Sequence, residues 1–322
     1  MFSLFGKNKK QTITAIVPGE MGIAITTLSP GKEKPRLTTC DFSPWNRGGT
    51  HGKQLQRKAK AFSLAKHACT TVMGLGEYSV LSVEAPDVPP NELRAAVRWQ
   101  VKDLIDFHID DAVIDVFDAP GNGVHSQQKK LYVVVSRTST VRTHVDQLQD
   151  ANVNLTTIDI PELVLRNIIS SLPENEAGVA MIYLTRERGL IVVARQSTLY
   201  FARTLDLGYE YLSRSVGDCD GLNAEGNIAD STEFDRLVLE IQRSLDYYDR
   251  YFSQPPVAGL VLAPTEVPVP GLSEYLKDAL GLPVRHLDIN EIVDCDTPLS
   301  ESQQAHCLPA IGAVLRQEQT SL

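Results

Sequence analysis

Leu237–Phe252, LVLEIQRSLDYYDRYF, is the stretch whose reading decides the fold. Leu237, Val238, Ile241, Leu245, Tyr248 and Phe252 recur at helical spacing and make one continuous apolar stripe. Thr232, followed three residues later by Asp235, reads as a capping box, and Gln254-Pro255-Pro256 halts the helix. Glu240, Arg243 and Ser244 lie off the stripe and neighbour one another one turn apart. Two readings are open: a half-buried core helix with a solvated polar face, or a helix whose polar residues touch a ligand.

Around this helix the second half of the chain alternates elements. Val179–Leu184, Gly189–Arg195 and Thr198–Leu205 read as a three-strand meander, and Val216–Ser231 as a loop dense in Gly, Asp and Asn. Asp218 and Asp220 suggest calcium, but an EF-hand loop begun at Asp218 meets Leu222 and Asn223 at its fifth and sixth positions, which removes that reading. After the helix come a strand at Val257–Ala263, a helix at Leu272–Leu280, a strand at Pro283–Leu287 and a last helix at Leu308–Arg316.

The first half has the same rhythm. Thr12–Val17, Gly22–Leu28 and Arg36–Asp41 form a meander punctuated by Pro18-Gly19 and Pro30-Gly31. A loop at Trp45–Lys53 leads to a helix at Gln54–His67. Then comes a compact unit in the order strand, helix, strand, strand: Tyr78–Ala85, a helix from Asn91 to about Phe107, Ala112–Phe117, a turn at Gly121-Asn122-Gly123, and Lys130–Ser136. A helix at Thr138–Ala151, a strand at Leu155–Asp159 and a helix at Glu162–Ser171 lead to the polar break at Pro173–Glu176. This break is the expected domain boundary, giving 1–175 and 176–322, with the last helix free to pack back on the first half. Two similar α/β halves facing a cleft is a duplicated architecture, with ligands expected between the halves.

Composition bounds the function. The chain has 322 residues, 43% hydrophobic and 22% charged, which suits two soluble globular domains. A formal net charge of -9 argues against nucleic acid as a partner. The five cysteines, Cys40, Cys69, Cys219, Cys295 and Cys307, are scattered without a CxxC pair, so neither a disulfide framework nor a zinc site is expected. No stretch approaches the roughly 18 apolar residues of a membrane span. The amino terminus MFSLFGKNKK lacks a signal-peptide core; its Phe2, Leu4, Phe5 and lysines could rest on an anionic surface, or simply fray. HExxH, GxSxG, GxxxxGK[ST] and GxGxxG are all missing, and His108, beside Asp110 and Asp111, reads as a surface turn residue. Neither metal chemistry nor covalent catalysis is expected.

Five stretches together resemble the PilM family, the actin-like cytoplasmic proteins of type IV pilus assembly. They are MFSLFGKNKK (1–10), ELRAAVRWQVKDLIDFHIDDAVIDV (92–116), LVLEIQRSLDYYDRYF (237–252), GLSEYLKDALGLPVRHLD (271–288) and PAIGAVLR (309–316). Within the family the likeness is to the branch serving mannose-sensitive haemagglutinin (MSHA) pili. The resemblance implies an actin-like, ribonuclease H-like duplicated α/β fold, with residues about 78–136 as an inserted subdomain. It also implies an adaptor at the inner face of the inner membrane. Such an adaptor binds the cytoplasmic amino-terminal segment of a PilN-like (here MshJ-like) membrane protein and couples it to the pilus motor ATPase. The partner surface expected from the residues is the inserted subdomain's helix, with Arg94, Arg98, Trp99 and Lys102. Whether Trp99 faces that partner or its own core is left open.

The resemblance also implies an ATP site, from which this chain departs. The family's phosphate loops begin Asp-x-Gly, whose glycine turn offers backbone N–H groups and whose carboxylate holds Mg²⁺ through water. Here the first stretch is Val17-Pro18-Gly19-Glu20-Met21-Gly22 and the second Tyr183-Leu184-Thr185-Arg186-Glu187-Arg188-Gly189. The later double glycine is replaced by Ala263-Pro264-Thr265. Gly19, Gly22, Glu240, Arg243, Ser244 and Gly271 are what is left of a nucleotide site, so no catalytic residue, no metal and no cofactor is expected. ATP with Mg²⁺ as a structural or regulatory ligand is the alternative reading. A GspL-like type II secretion component is a further one, set back because that family continues into a membrane span whereas this sequence stops at Leu322.

Overall fold

The computed structural model describes residues 12–31, 34–121, 129–217 and 232–316. The amino-terminal arm, the calcium reading at Asp218 and Asp220, and most of the Gly121–Gly123 turn lie outside the described residues.

In the first half β1 (Ile13–Pro18), β2 (Gly22–Ser29) and β3 (Arg36–Pro44) form the expected meander, with Ile16 opposite Ile25. α1 (His51–Ala61) is followed by β4 (Cys69–Val72). The inserted unit is β5 (Tyr78–Glu84), α2 (Leu93–Val101), β6 (Ala112–Asp118) and β7 (Lys130–Arg137), and then α3 (Thr138–Asp150), β8 (Leu155–Asp159) and α4 (Pro161–Ile169). The second half runs β9 (Val179–Leu184), β10 (Gly189–Arg195), β11 (Thr198–Leu205), α5 (Tyr209–Gly217), α6 (Thr232–Phe252), β12 (Leu260–Leu262), α7 (Leu272–Leu280) and β13 (Val284–His286). It closes with β14 (Asp294–Cys295) and α8 (Glu301–Val314).

Sheet order exposes the duplication. The first sheet is β14-β3-β2-β1-β4-β8 and the second β11-β10-β9-β12-β13. Setting β14 aside, each is an antiparallel meander whose first strand pairs in parallel with the strand that follows it. The inserted unit makes its own antiparallel sheet, β5-β7-β6.

Between the two large sheets lie α4 and α8. Val164, Leu165 and Ile168 of α4, with Cys307, Leu308 and Ile311 of α8, share one core with Ala15 and Ala24 below and with Met181, Leu190 and Val192 above. Thr26 donates its hydroxyl to the Ala310 carbonyl at 2.8 Å, and Asn167 Nδ2 to that of Gly312 at 2.9 Å, satisfying helix carbonyls that the packing removes from water. So α8, though last in sequence, joins the first half, and β14 extends the first sheet beside Arg36 and Leu37.

On the outer face of the second sheet sits α6. Phe234, Leu237, Ile241, Tyr248 and Phe252 are buried against Ile182, Ile191 and Val193, each burial worth about 1.5–3 kcal/mol. Its stripe is the one the sequence predicts, with two corrections. Ser244 is not on a solvated face: it is fully buried, its Oγ donating to the Glu240 carbonyl at 2.7 Å. Nor do Thr232 and Asp235 serve as the capping pair, since Thr232 lies within the helix with its hydroxyl on Glu233, while Asp235 accepts from Tyr275.

Other boundaries move for identifiable reasons. The strand β4 was not expected, because CTTV is short and half hydroxylated, yet all four residues are buried between β1 and β8. α1 begins inside the stretch read as a glycine-rich loop, and it ends at Ala61, ahead of a left-handed Ser63. α2 stops at Val101 rather than near Phe107. α8 begins seven residues before Leu308, at a capping box of Ser300 and Gln303 that the internal Pro309 disguised. α5 falls mostly between the strand expected to end at Leu205 and the loop expected from Val216, where no element was assigned.

Candidate functional site

A cavity of about 510 Å³ opens between the halves. Its first wall is the β1–β2 turn, Pro18–Gly22, with the β4–β5 segment and His144 of α3. Its second wall is the β9–β10 turn, Thr185–Arg188, with Tyr209, Pro264 and Glu266; Ala305, His306 and Pro309 of α8 form the base. The two degenerate loops therefore do face each other.

The Gly19, Thr185 and Arg188 N–H groups are spent within their own turns. Gly19 N–H donates to the Gly22 carbonyl at 2.8 Å, and Pro18 has no N–H. The indole N–H of Trp45 donates to the Gly19 carbonyl at 2.8 Å while its ring stacks on His51 at 4.2 Å, fixing the turn from outside. Gly22 lies against the backbone of Ser43 and Pro44, where any β-carbon would collide, so strand packing accounts for this glycine. Across the cleft, Thr185 N–H and its hydroxyl both donate to the Arg188 carbonyl at 2.8 Å, and the Arg188 N–H returns to Thr185 Oγ1 at 3.3 Å.

The side chains lean acidic. Glu20, Glu77, Glu187 and Glu266 line the cavity with Arg186 and Arg188, and Arg186 is engaged by Glu210 at 2.8 Å. Glu77 bonds His144 at 2.8 Å and accepts from Gly74 N–H at 2.6 Å; partial burial raises its carboxyl pKa, but these bonds outweigh it and hold the group below its usual value. Glu266 accepts from the Tyr209 hydroxyl at 2.8 Å and approaches His306 at 3.3 Å, and His306 stacks on Phe42. Burial first, then that bond to Glu266, raises the Tyr209 hydroxyl pKa. Pro18, which has no N–H, and the carboxylates of Glu20 and Glu187 oppose an anion at these turns, against the cations of Arg186 and Arg188.

The other sequence-predicted residues lie elsewhere. Glu240, Arg243, Ser244 and Gly271 do not line this cavity. Glu240 pairs with Arg243 at 2.9 Å and Arg203 at 3.7 Å, and Gly271 immediately precedes α7. On α2, Val97 and Val101 point into the subdomain core, while Trp99 is 74% exposed with the Lys102 ammonium 5.8 Å from its ring centre. Trp99 therefore faces outward. Arg94 pairs with Asp115 at 2.8 Å, and Arg98 donates to the carbonyls of Ile109 and Ala112, so both cations brace the subdomain.

Two features escaped the sequence reading. One is the Glu77–His144 pair, whose members are 67 residues apart and carry no local signal. The other is a smaller cavity, about 150 Å³, between the inserted sheet and the second half. Tyr132, Phe201, Tyr247 and Tyr251 line it; Lys130 donates to the Tyr251 hydroxyl and Tyr132 to the Tyr200 carbonyl. Among the described residues no group of three or more His, Cys, Asp or Glu side chains is placed to hold a metal, and no helix is long and apolar enough to cross a membrane.

Residues 80–229, a little under half of the chain, match the family model described as Type IV pilus assembly protein PilM. No curated protein matches the sequence. Among solved structures, a chain of the PilM-PilN type IV pilus biogenesis complex superposes with a TM-score of 0.74 at 20% identity, covering 95% of this chain and 98% of that one. A Bacteroides thetaiotaomicron protein with an actin-like ATPase fold and unknown function gives 0.53 at 7% identity, covering 98% and 100%. The cytoplasmic domain of EpsL, an inner membrane component of the Vibrio cholerae type II secretion system, gives 0.48 at 12%, covering 96% and 97%. The fold is actin-like.

Proposed function

We propose that this chain is a cytoplasmic adaptor of type IV pilus assembly, sitting at the inner face of the inner membrane. On this reading it binds the amino-terminal cytoplasmic segment of a PilN-like membrane protein and hydrolyses nothing. The observation that carries it is the family match over residues 80–229, which takes in nearly all of the inserted subdomain that displays Trp99 to solvent. An exposed indole flanked by a lysine suits an extended peptide, since Trp anchors dominate such interfaces. Within the family, the five stretches quoted above, taken together, favour the MSHA branch, making the chain MshI-like and its partner MshJ-like, with the pilus motor ATPase as a second contact.

Internally bonded amides, Pro18, and carboxylates at Glu20 and Glu187 support a cleft without hydrolysis. Binding of the partner's cytoplasmic peptide, followed by titration calorimetry, tests the adaptor. Trp99→Ala is the informative variant, because Arg98 also holds subdomain carbonyls. A loss of about tenfold or more in affinity is the expected result for a central aromatic anchor. Unchanged affinity removes this surface. ATP as a regulatory ligand is the alternative, measured by the same calorimetry with Mg-ATP.

A further inference from the structure

The segment Gly74–Tyr78 joins β4 to β5, and three parts of the molecule meet on it. From the second half, the Arg188 guanidinium crosses the cleft to lie against Gly76, where φ is +90° and a β-carbon would overlap it. Among the described residues that guanidinium has no hydrogen bond or ion pair. From the first half, His144 of α3 holds Glu77, and the Glu162 carboxylate of α4 accepts the Tyr78 hydroxyl at 2.6 Å. From the inserted subdomain, Ser136 at the end of β7 donates to the Glu77 carbonyl at 2.8 Å, and Tyr78 is itself the first residue of β5, paired with Ser136.

We infer that Gly74–Tyr78 is a transmission element: displacement of the Thr185–Arg188 turn across the cleft is passed, through Gly76 and the Glu77–His144 and Tyr78–Glu162 bonds, to the inserted subdomain. The physical reason is continuity. Gly76 has no side chain to absorb a movement of Arg188, and the two residues after it are each anchored by a charged bond with a partner in a different helix. Tyr78 and Ser136 then mark both strands by which the subdomain leaves the first half, so a shift there tilts or loosens the whole unit. This does not depend on which ligand fills the cleft or which partner binds the subdomain.

Amide hydrogen exchange on the full chain tests it, with Arg188→Ala and Glu77→Gln. Arg188 is exposed, so its removal leaves the core intact, and its turn keeps the Thr185 bonds. Each variant is expected to accelerate exchange in β5 and β7 by about fivefold or more, with α6 amides unchanged within about twofold. Acceleration in both variants supports the inference. If Arg188→Ala alters only residues 185–188 while β5 and β7 stay within about twofold of wild type, the coupling across the cleft is wrong, whatever Glu77→Gln does.

Discussion

The hydroxyl of Tyr78 donates to the Glu162 carboxylate at 2.6 Å, and both groups lie in the junction between the inserted subdomain and α4. Glu162 is only 4% exposed. Removing the donor with Tyr78→Phe leaves a buried carboxylate short of a partner, at a cost of about 1–3 kcal/mol. Urea unfolding of the variant measures this; a midpoint equal to wild type shows the bond to be dispensable.

Acid and base push the stability in opposite directions. Burial raises the carboxyl pKa values of Asp159 and Glu162 above their ordinary 3.8 and 4.5. The folded state then binds these protons more tightly than the unfolded state. Their contribution is greatest below the unfolded values and declines as pH rises through the folded ones. Asp159→Asn is therefore expected to flatten the fall in unfolding free energy as pH rises above the unfolded value of 3.8, apart from the loss of the 3.8 Å approach to Arg316. An unaltered pH slope shows that Asp159 is not a source of it.

Glu174 behaves the other way. Two bonds from Arg285, at 2.7 and 3.0 Å, lower its carboxyl pKa, with burial opposing. The stabilisation is present above the unfolded value of 4.5 and is lost as pH falls through the folded one. Since both side chains are nearly a third exposed, solvent screening limits the effect of Arg285→Met to about 0.2–1 kcal/mol at neutral pH. Once pH has fallen below the folded value, the variant and the wild type converge. A difference that persists in acid points to packing of the arginine stem instead.

How much of this was legible beforehand follows from what local sequence encodes. The stripe of α6 was, because Leu237, Ile241 and Tyr248 all bury on one face and period alone specifies that face. The inserted subdomain was, because a strand, an amphipathic helix and two alternating strands are each local patterns. β4 was not, since its identity as a central strand comes from β1 and β8 on either side. Ser244 misled because a serine at helical spacing looks the same whether it bonds water or its own helix carbonyl. The cleft loops were placed correctly as facing elements, but not their neighbours: Trp45, His144 and His306 arrive from distant segments. Trp99 lies between two core valines in sequence, and only the helix rotation shows that it points away.

Mg-ATP is expected to leave the thermal midpoint unchanged. A ligand at a hundred times its Kd stabilises by about 2.7 kcal/mol, so 10 µM affinity tested at about 1 mM is readily seen. The Gly19 and Thr185 amides are committed to their own turns, and Glu20 and Glu187 face the same space. A clear upward shift on adding Mg-ATP contradicts the vestigial reading and returns nucleotide to the cleft.

Trp99 and Val97 are two positions apart on α2 and face opposite ways, which separates recognition from folding in one experiment. Val97 has no exposure, so Val97→Ala empties part of the subdomain core at a cost on the order of 2 kcal/mol. Trp99→Ala removes a ring that is 74% exposed and is expected to change stability by less than about 0.5 kcal/mol. If the exposed indole anchors a partner segment, Trp99→Ala weakens binding while the unfolding midpoint holds, and Val97→Ala lowers the midpoint while the folded fraction still binds. The reverse pattern, stability lost with Trp99 and binding kept, identifies the ring as part of the fold and moves the partner to another face of the subdomain. Calorimetry and urea unfolding on the same two variants distinguish these outcomes.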